Sequence, residues 1–137
     1  MQSILLDTCA AIWIADDLAL AAQAESLLNE LNVAGGTIYI SPITAWEVGQ
    51  LAARQRIKMP TTPQRWFALL LQTRGIQLAE MTPDILIESS FLPGKLPRDP
   101  ADRIMAATAR HLGAALMTRD RALLDYGKQG HVNVVAC

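Results

Sequence analysis

The 137-residue chain is 51% hydrophobic and 18% charged, which suits one domain with a sizeable core and excludes a disordered chain. Its formal net charge of −1 excludes a globally basic surface as the basis of nucleic-acid binding, but leaves room for a local basic rim. Two cysteines, Cys9 and Cys137, make neither a disulfide framework nor a metal-ligand spacing, and no signal peptide or membrane-length apolar run is visible. A soluble, cytoplasmic protein with no membrane association is expected.

Residues 4–7 read as a short buried strand, and the apolar stretch 8–14 starts a helix off it. Residues 18–31 carry helical spacing, with Leu20, Ala24, Leu27, Leu28 and Leu31 on one side, until Gly35-Gly36 breaks the pattern. Residues 37–41 are rich in β-branched and aromatic side chains and give a second strand. Ser41-Pro42 is a cap-plus-proline start signal for a helix over 42–56. Gly49 inside that helix costs about 1 kcal/mol relative to alanine, and a close helix approach is the expected reason for it.

A second amphipathic helix follows over 64–74, then a strand over 76–80 and a helix over 83–91 opened by Thr82-Pro83. Residues 92–98 are a loop with two prolines. Asp99-Pro100 opens a helix that ends near Leu112, with Gly113 as its stop. A strand over 114–118, a short helix over 121–126 closed by Gly127, and a last strand over 132–136 complete the chain. Strands alternate with helices throughout, the pattern of an α/β protein with a parallel sheet. No repeat, low-complexity tract or linker divides residues 1–137, so one domain is expected.

Four acids stand out: Asp7, Glu47, Asp102 and Asp120. Asp7 and Asp120 close two separate strands, while Glu47 and Asp102 lie early in helices. In an open parallel sheet, ligand-binding groups gather outside the carboxyl ends of the strands. Clustered carboxylates repel one another unless a cation neutralises them, and hard divalent cations prefer such oxygen ligands. Each acid has a plainer reading. Asp7 and Asp120 suit helix caps, and Asp99 with Asp102 resembles a capping box. Glu47 resists that reading best, because Ile43-Thr44-Ala45-Trp46-Glu47-Val48 is otherwise nearly apolar.

Leu5-Leu6-Asp7-Thr8, the run from Ser41 to Glu47, the run from Asp99 to Ala109 and Thr118-Arg119-Asp120 resemble the ordered motifs of PIN-domain ribonucleases, most of all VapC-type toxins. The likeness spans essentially the whole chain. It implies one PIN-like domain, an α/β/α sandwich around a short parallel sheet of about four to five strands. It also implies an endoribonuclease using Mg²⁺ or Mn²⁺ held by Asp7, Glu47, Asp102 and Asp120, with an RNA substrate. A cognate antitoxin is the implied partner, in a homodimer or a toxin–antitoxin hetero-oligomer. Asp99, Thr118, Thr8 and Ser41 are candidate supporting residues, Asp99 as a cap first and a metal support second.

Arg98, Arg103, Arg119 and Arg121 flank the acids and are candidate RNA-phosphate contacts; surface ion pairing is the plainer alternative. Arg54, Arg56 and Lys58 are read as completing a helix dipole. Trp46, Trp66 and Phe67 are candidates to stack on bases, with core packing the plainer and preferred reading, and the continuous apolar run 66–71 suggests a face partly covered by a partner. His111 and His131 lack ligand spacing. Other functions compete. An aspartyl-phosphate phosphatase needs a second Asp two positions after the first, where this chain has Cys9; a response-regulator receiver needs an acid pair and a late Lys that are absent. A non-catalytic RNA- or protein-binding module predicts metal-independent binding.

Overall fold

The computed structural model describes residues 2–137. Strand β1 (Ser3–Leu6) runs directly into helix α1 (Thr8–Ala15), and α2 (Ala22–Ala34) follows after a reversal. Strand β2 (Thr37–Ile40) leads into α3 (Pro42–Ala53) and α4 (Pro63–Leu71), and β3 (Ile76–Leu78) leads into α5 (Pro83–Glu88). Helix α6 (Pro100–Leu112), strand β4 (Ala115–Thr118), helix α7 (Arg121–Lys128) and strand β5 (Val134–Ala136) complete the chain. The five strands form one parallel sheet in the order β3-β2-β1-β4-β5.

Alternation along the strands builds two cores. Ile4 and Leu6 of β1, Ile38 and Ile40 of β2 and Met117 of β4 pack with α1, α2, α3 and α4 on one face. Leu5 and Leu116 point the other way and pack with Ile85 of α5, Met105 and Ala106 of α6, and Leu123 and Tyr126 of α7. A sheet buried on both faces needs strands apolar at every position, which is why 4–6 and 115–117 show no polar alternation. The expected α/β/α sandwich is the observed architecture.

The helix starts after Ser41, Thr82 and Asp99 follow the sequence signals, while α4 begins at Pro63 with Thr62 as its cap, one residue before the expected start at 64. Ser41, Thr62, Thr82 and Asp99 each cap a helix whose first residue is proline, accepting a hydrogen bond from a backbone N–H of the first turn. Gly113 closes α6 in the left-handed region at φ 63°. Other boundaries differ. Helix α2 begins at Ala22, not at residue 18, because the chain must first reverse: Leu18 N–H closes α1 on Trp13 O, and Asp17 takes φ 55°. Helix α3 stops at Ala53, not residue 56, since Gln55 turns left-handed and Arg56 N–H returns to Leu51 O. Arg54, Arg56 and Lys58 therefore trail from the helix end.

Three packing expectations are corrected. Trp46 is 57% exposed, because α3 turns Thr44 and Val48 inward and leaves position 46 outside; Trp66 is buried as expected. Gly49 answers no close approach, since a β-carbon added there meets nothing within 4 Å. Gly127 does not end α7 but lies within it, where an added β-carbon would collide with the methyl groups of Val134 on β5.

Candidate active site

The order of the sheet decides where a site forms. From β1 the chain moves outward through β2 and β3, then crosses back to β4 on the opposite side of β1. The connections diverge at the carboxyl ends of β1 and β4, which opens a crevice there. Asp7 follows β1 immediately, and its N–H extends the ladder to Met117 O at 2.9 Å. Asp120 caps α7 just beyond β4. Helix α3 packs against α1 and α6, bringing Glu47 to the same crevice as Asp102 in the first turn of α6. A pocket of about 400 Å³ is lined by Asp7, Glu47, Asp99, Asp102 and Asp120, together with Thr8, Cys9 and Arg119.

Two threonines orient these acids. Buried Thr118 donates its hydroxyl proton to Asp7 Oδ2 at 2.6 Å and accepts from Asp120 N–H at 2.9 Å, so one side chain ties both strand-end aspartates. Thr8 donates to Glu47 Oε1 at 2.6 Å. With that proton committed, Thr8 Oγ1 accepts from the Thr44 hydroxyl 3.1 Å away. Asp7 also caps α1 through Oδ1 on Thr8 N–H, and the Cys9 thiol approaches Oδ2 at 3.6 Å. Asp120 accepts from Leu123 N–H at 3.0 Å. The capping roles are thus real for Asp7, Asp99 and Asp120, and each leaves the carboxylate on the pocket wall.

Asp102 behaves differently. Asp99 caps α6 by accepting from Ala101 N–H at 2.9 Å, but no reciprocal capping-box bond from Asp102 is present among the described residues. Burial, then Asp120, Asp99, Asp7 and Glu47 in that order, pushes the Asp102 carboxyl up to about 8. Burial, followed by the neighbouring carboxylates, also raises Glu47. Asp7 is raised chiefly by burial, against the lowering bond from Thr118. Among the described residues no side-chain ion pair relieves this charge. Among the described residues the one ion pair is Lys128 with Asp125 at 3.6 Å, outside this pocket. Arg119 lines the pocket but is held elsewhere: its Nε donates to Cys137 O at 2.7 Å, and its guanidinium lies 3.5 Å over the Trp13 ring.

The donor set is oxygen-rich and uncompensated, which is the chemistry of a hard divalent cation. Among the described residues no three acidic, His or Cys side chains close into a ready-made cage. Each carboxylate is anchored by its own donor on the pocket wall: Asp7 by Thr118, Glu47 by Thr8 and Asp120 by Leu123 N–H.

The remaining candidates separate. Ser41 is fully buried and caps α3 through Ile43 N–H, so it supports the helix and does not line the pocket. Arg98 lines a second groove that shares Asp99, Asp102 and Asp120 with the first. The Arg103 Nε donates to Pro97 O and lines neither. Arg121 lines a separate cleft with Gln23 and Lys128. Only Arg119 of the four reaches the acid pocket. Thr44 escaped sequence reasoning, although its place one turn before Glu47 on α3 is the signal that would have found it.

A profile of the PIN domain matches residues 4–129. The chain is 33% identical over 130 residues to Ribonuclease VapC22 of Mycobacterium tuberculosis, covering 92% of this chain and 93% of that protein. Among solved structures it is similar to VapBC2 from Rickettsia felis bound to a promoter DNA fragment, with a TM-score of 0.66 at 14% identity, covering 98% of both chains. It is also similar to PAE2754 from Pyrobaculum aerophilum, with a TM-score of 0.61 at 20% identity, covering 98% and 90%. FitAcB from Neisseria gonorrhoeae gives a TM-score of 0.56 at 20% identity, covering 96% and 95%. At those identities the structures speak for the fold. The profile match over most of the chain and the VapC22 likeness over nearly all of it carry the conclusion that this protein belongs to the PIN domain family.

Proposed function

We propose that this protein is a divalent-metal-dependent endoribonuclease, the toxin of a toxin–antitoxin pair. The observation that carries the reading is the uncompensated acid pocket: carboxylates from separate elements share one crevice, burial and neighbouring acids raise Asp7, Glu47 and Asp102, and none of the acids has an ion-pair partner among the described residues. Such an arrangement costs stability unless a cation fills it. The likeness to VapC22 supports RNA as the substrate, and the likeness to VapBC2 and FitAcB supports a protein antitoxin as the partner.

Asp7, Glu47, Asp102 and Asp120 would hold Mg²⁺ or Mn²⁺, with Asp99 at the rim. A bound ion of this kind supplies an acidified water and neutralises charge building on a phosphodiester oxygen. Thr118 bonds the Asp7 carboxylate and the Asp120 backbone N–H, which fixes the two strand ends relative to each other and limits the reorganisation needed when metal and substrate bind. Glu47 is anchored through Oε1 alone, which leaves Oε2 without a protein partner among the described residues and available to orient the attacking water.

The test is incubation of total cellular RNA with purified protein, with Mg²⁺ or Mn²⁺ or a chelator, beside Asp7→Asn. Discrete metal-dependent fragments that disappear in the variant are the expected result. Intact RNA under both metals, with RNA still bound, would favour the non-catalytic binding module instead.

A further inference from the structure

The acid pocket does not end at its acids. A second groove of about 520 Å³ shares Asp99, Asp102 and Asp120 with it and runs on between the loop 92–98 and helix α7. Its far walls carry Lys95 and Arg98 on the loop side and Ala122, Tyr126 and Gln129 on the helix side. Asp125, the one further acid there, is paired with Lys128. Beyond the shared acids, the unpaired charge of this groove is therefore positive.

The loop is held by three side chains, two from the end of α7 and one from α6. Gln129 Oε1 accepts from Lys95 N–H at 2.9 Å, while Gln129 Nε2 donates to Lys95 O at 3.0 Å. The Tyr126 hydroxyl donates to Pro93 O at 2.7 Å, and Arg103 Nε donates to Pro97 O. A loop rich in glycine and proline would otherwise lose entropy on binding, so holding it in place beforehand lowers that cost. What this clamp presents is a pair of cations a short way from the acids.

We propose that this groove carries the single-stranded RNA on one side of the cut, with Lys95 and Arg98 on its phosphates and Gln129 as the residue that positions the loop. The inference rests on the nuclease reading of the adjoining acids. The volume is that of a small ligand rather than a duplex. Tyr126, the aromatic residue lining this groove, offers no face to stack, being 1% exposed with its hydroxyl bonded to the loop. Recognition here is of phosphate, which positions a strand without reading its sequence.

The experiment measures binding of fluorescein-labelled single-stranded oligoribonucleotides to the Asp7→Asn protein in Mg²⁺ across a salt series. Adding Lys95→Ala and Arg98→Ala together should weaken binding roughly tenfold or more. The salt slope should become shallower by about 0.7 for each phosphate no longer neutralised, to the same extent for unrelated sequences. Gln129→Ala should weaken binding with both cations intact. Arg121→Ala removes an equal charge from the separate cleft and should leave binding unchanged. Unchanged affinity in the double variant overturns the proposal, as does an equal weakening in Arg121→Ala or equally tight binding of duplex RNA. Cleavage by the wild-type protein is scored separately: its absence sinks the nuclease reading, while the binding series alone decides the groove.

Discussion

Thr118 touches Asp7 through its proton and Asp120 through its lone pair, so its hydroxyl, not its volume, organises the floor of the site. Thr118→Val keeps the shape and removes both bonds. Cleavage should fall at least tenfold, by the loss of one or two hydrogen bonds to charged or backbone groups, and Thr118→Ser should restore most of it. Equal activity in the Val and Ser variants would show that Thr118 only fills space. Asp102 poses the opposite case. Its raised carboxyl marks a group that the metal-free fold prefers uncharged. Asp102→Asn should therefore abolish metal-dependent cleavage and raise the melting temperature in chelator at about pH 8, where the wild-type group is forced to ionise. A lower melting temperature would instead mean that Asp102 serves the helix dipole after all.

Two glycines in helices make a controlled pair at the scale of the element. Gly49 faces open space on α3, so Gly49→Ala gains the helix propensity of alanine and should stabilise by up to about 1 kcal/mol. Gly127 lets α7 lie directly on Val134 of β5, and both methyl groups of that valine crowd the position. Gly127→Ala should destabilise by about 1–3 kcal/mol despite the same gain in propensity. Urea denaturation of the two variants checks the contrast directly. If both stabilise, the packing of α7 on β5 is loose enough to admit a methyl group. Because α7 leads into Gln129 and begins at Asp120, its seating on β5 links sheet packing to both grooves.

At the scale of the whole molecule, the acid pocket makes stability depend on pH and on cations. Asp7, Glu47 and Asp102 are all raised in the folded state, so the folded protein holds more protons than the unfolded chain between the two sets of values. The penalty is absent below about pH 4, where both states are protonated, and complete above the Asp102 value of about 8. Metal-free protein should lose stability as pH rises through that window. A bound cation stabilises the folded state alone, by about 2.7 kcal/mol at a hundredfold excess over its dissociation constant. Calorimetry should show Mg²⁺ or Mn²⁺ raising the melting temperature more at the alkaline end than at the acid end. A metal effect independent of pH would place the ion elsewhere. Among the described residues, no helix is long and apolar enough to cross a membrane.

Much of this was legible in the sequence. Short runs apolar at every position read as strands buried on both faces, and serine, threonine or aspartate before proline marked three helix starts, at Ser41, Thr82 and Asp99. The motifs around Asp7, Glu47, Asp102 and Asp120 named the acids, because local chemistry is written locally. Helix ends were less legible, since the left-handed turns at Asp17 and Gln55 fall on residues that do not announce them. Tertiary structure alone decided the rest. It turned Trp46 outward and seated Gly127 on Val134. It joined Thr118 to Asp7, 111 residues away along the chain, and sent Arg98, Arg103, Arg119 and Arg121 to different places. Each of these depends on which elements the sheet order makes neighbours, and no spacing along one segment contains that information.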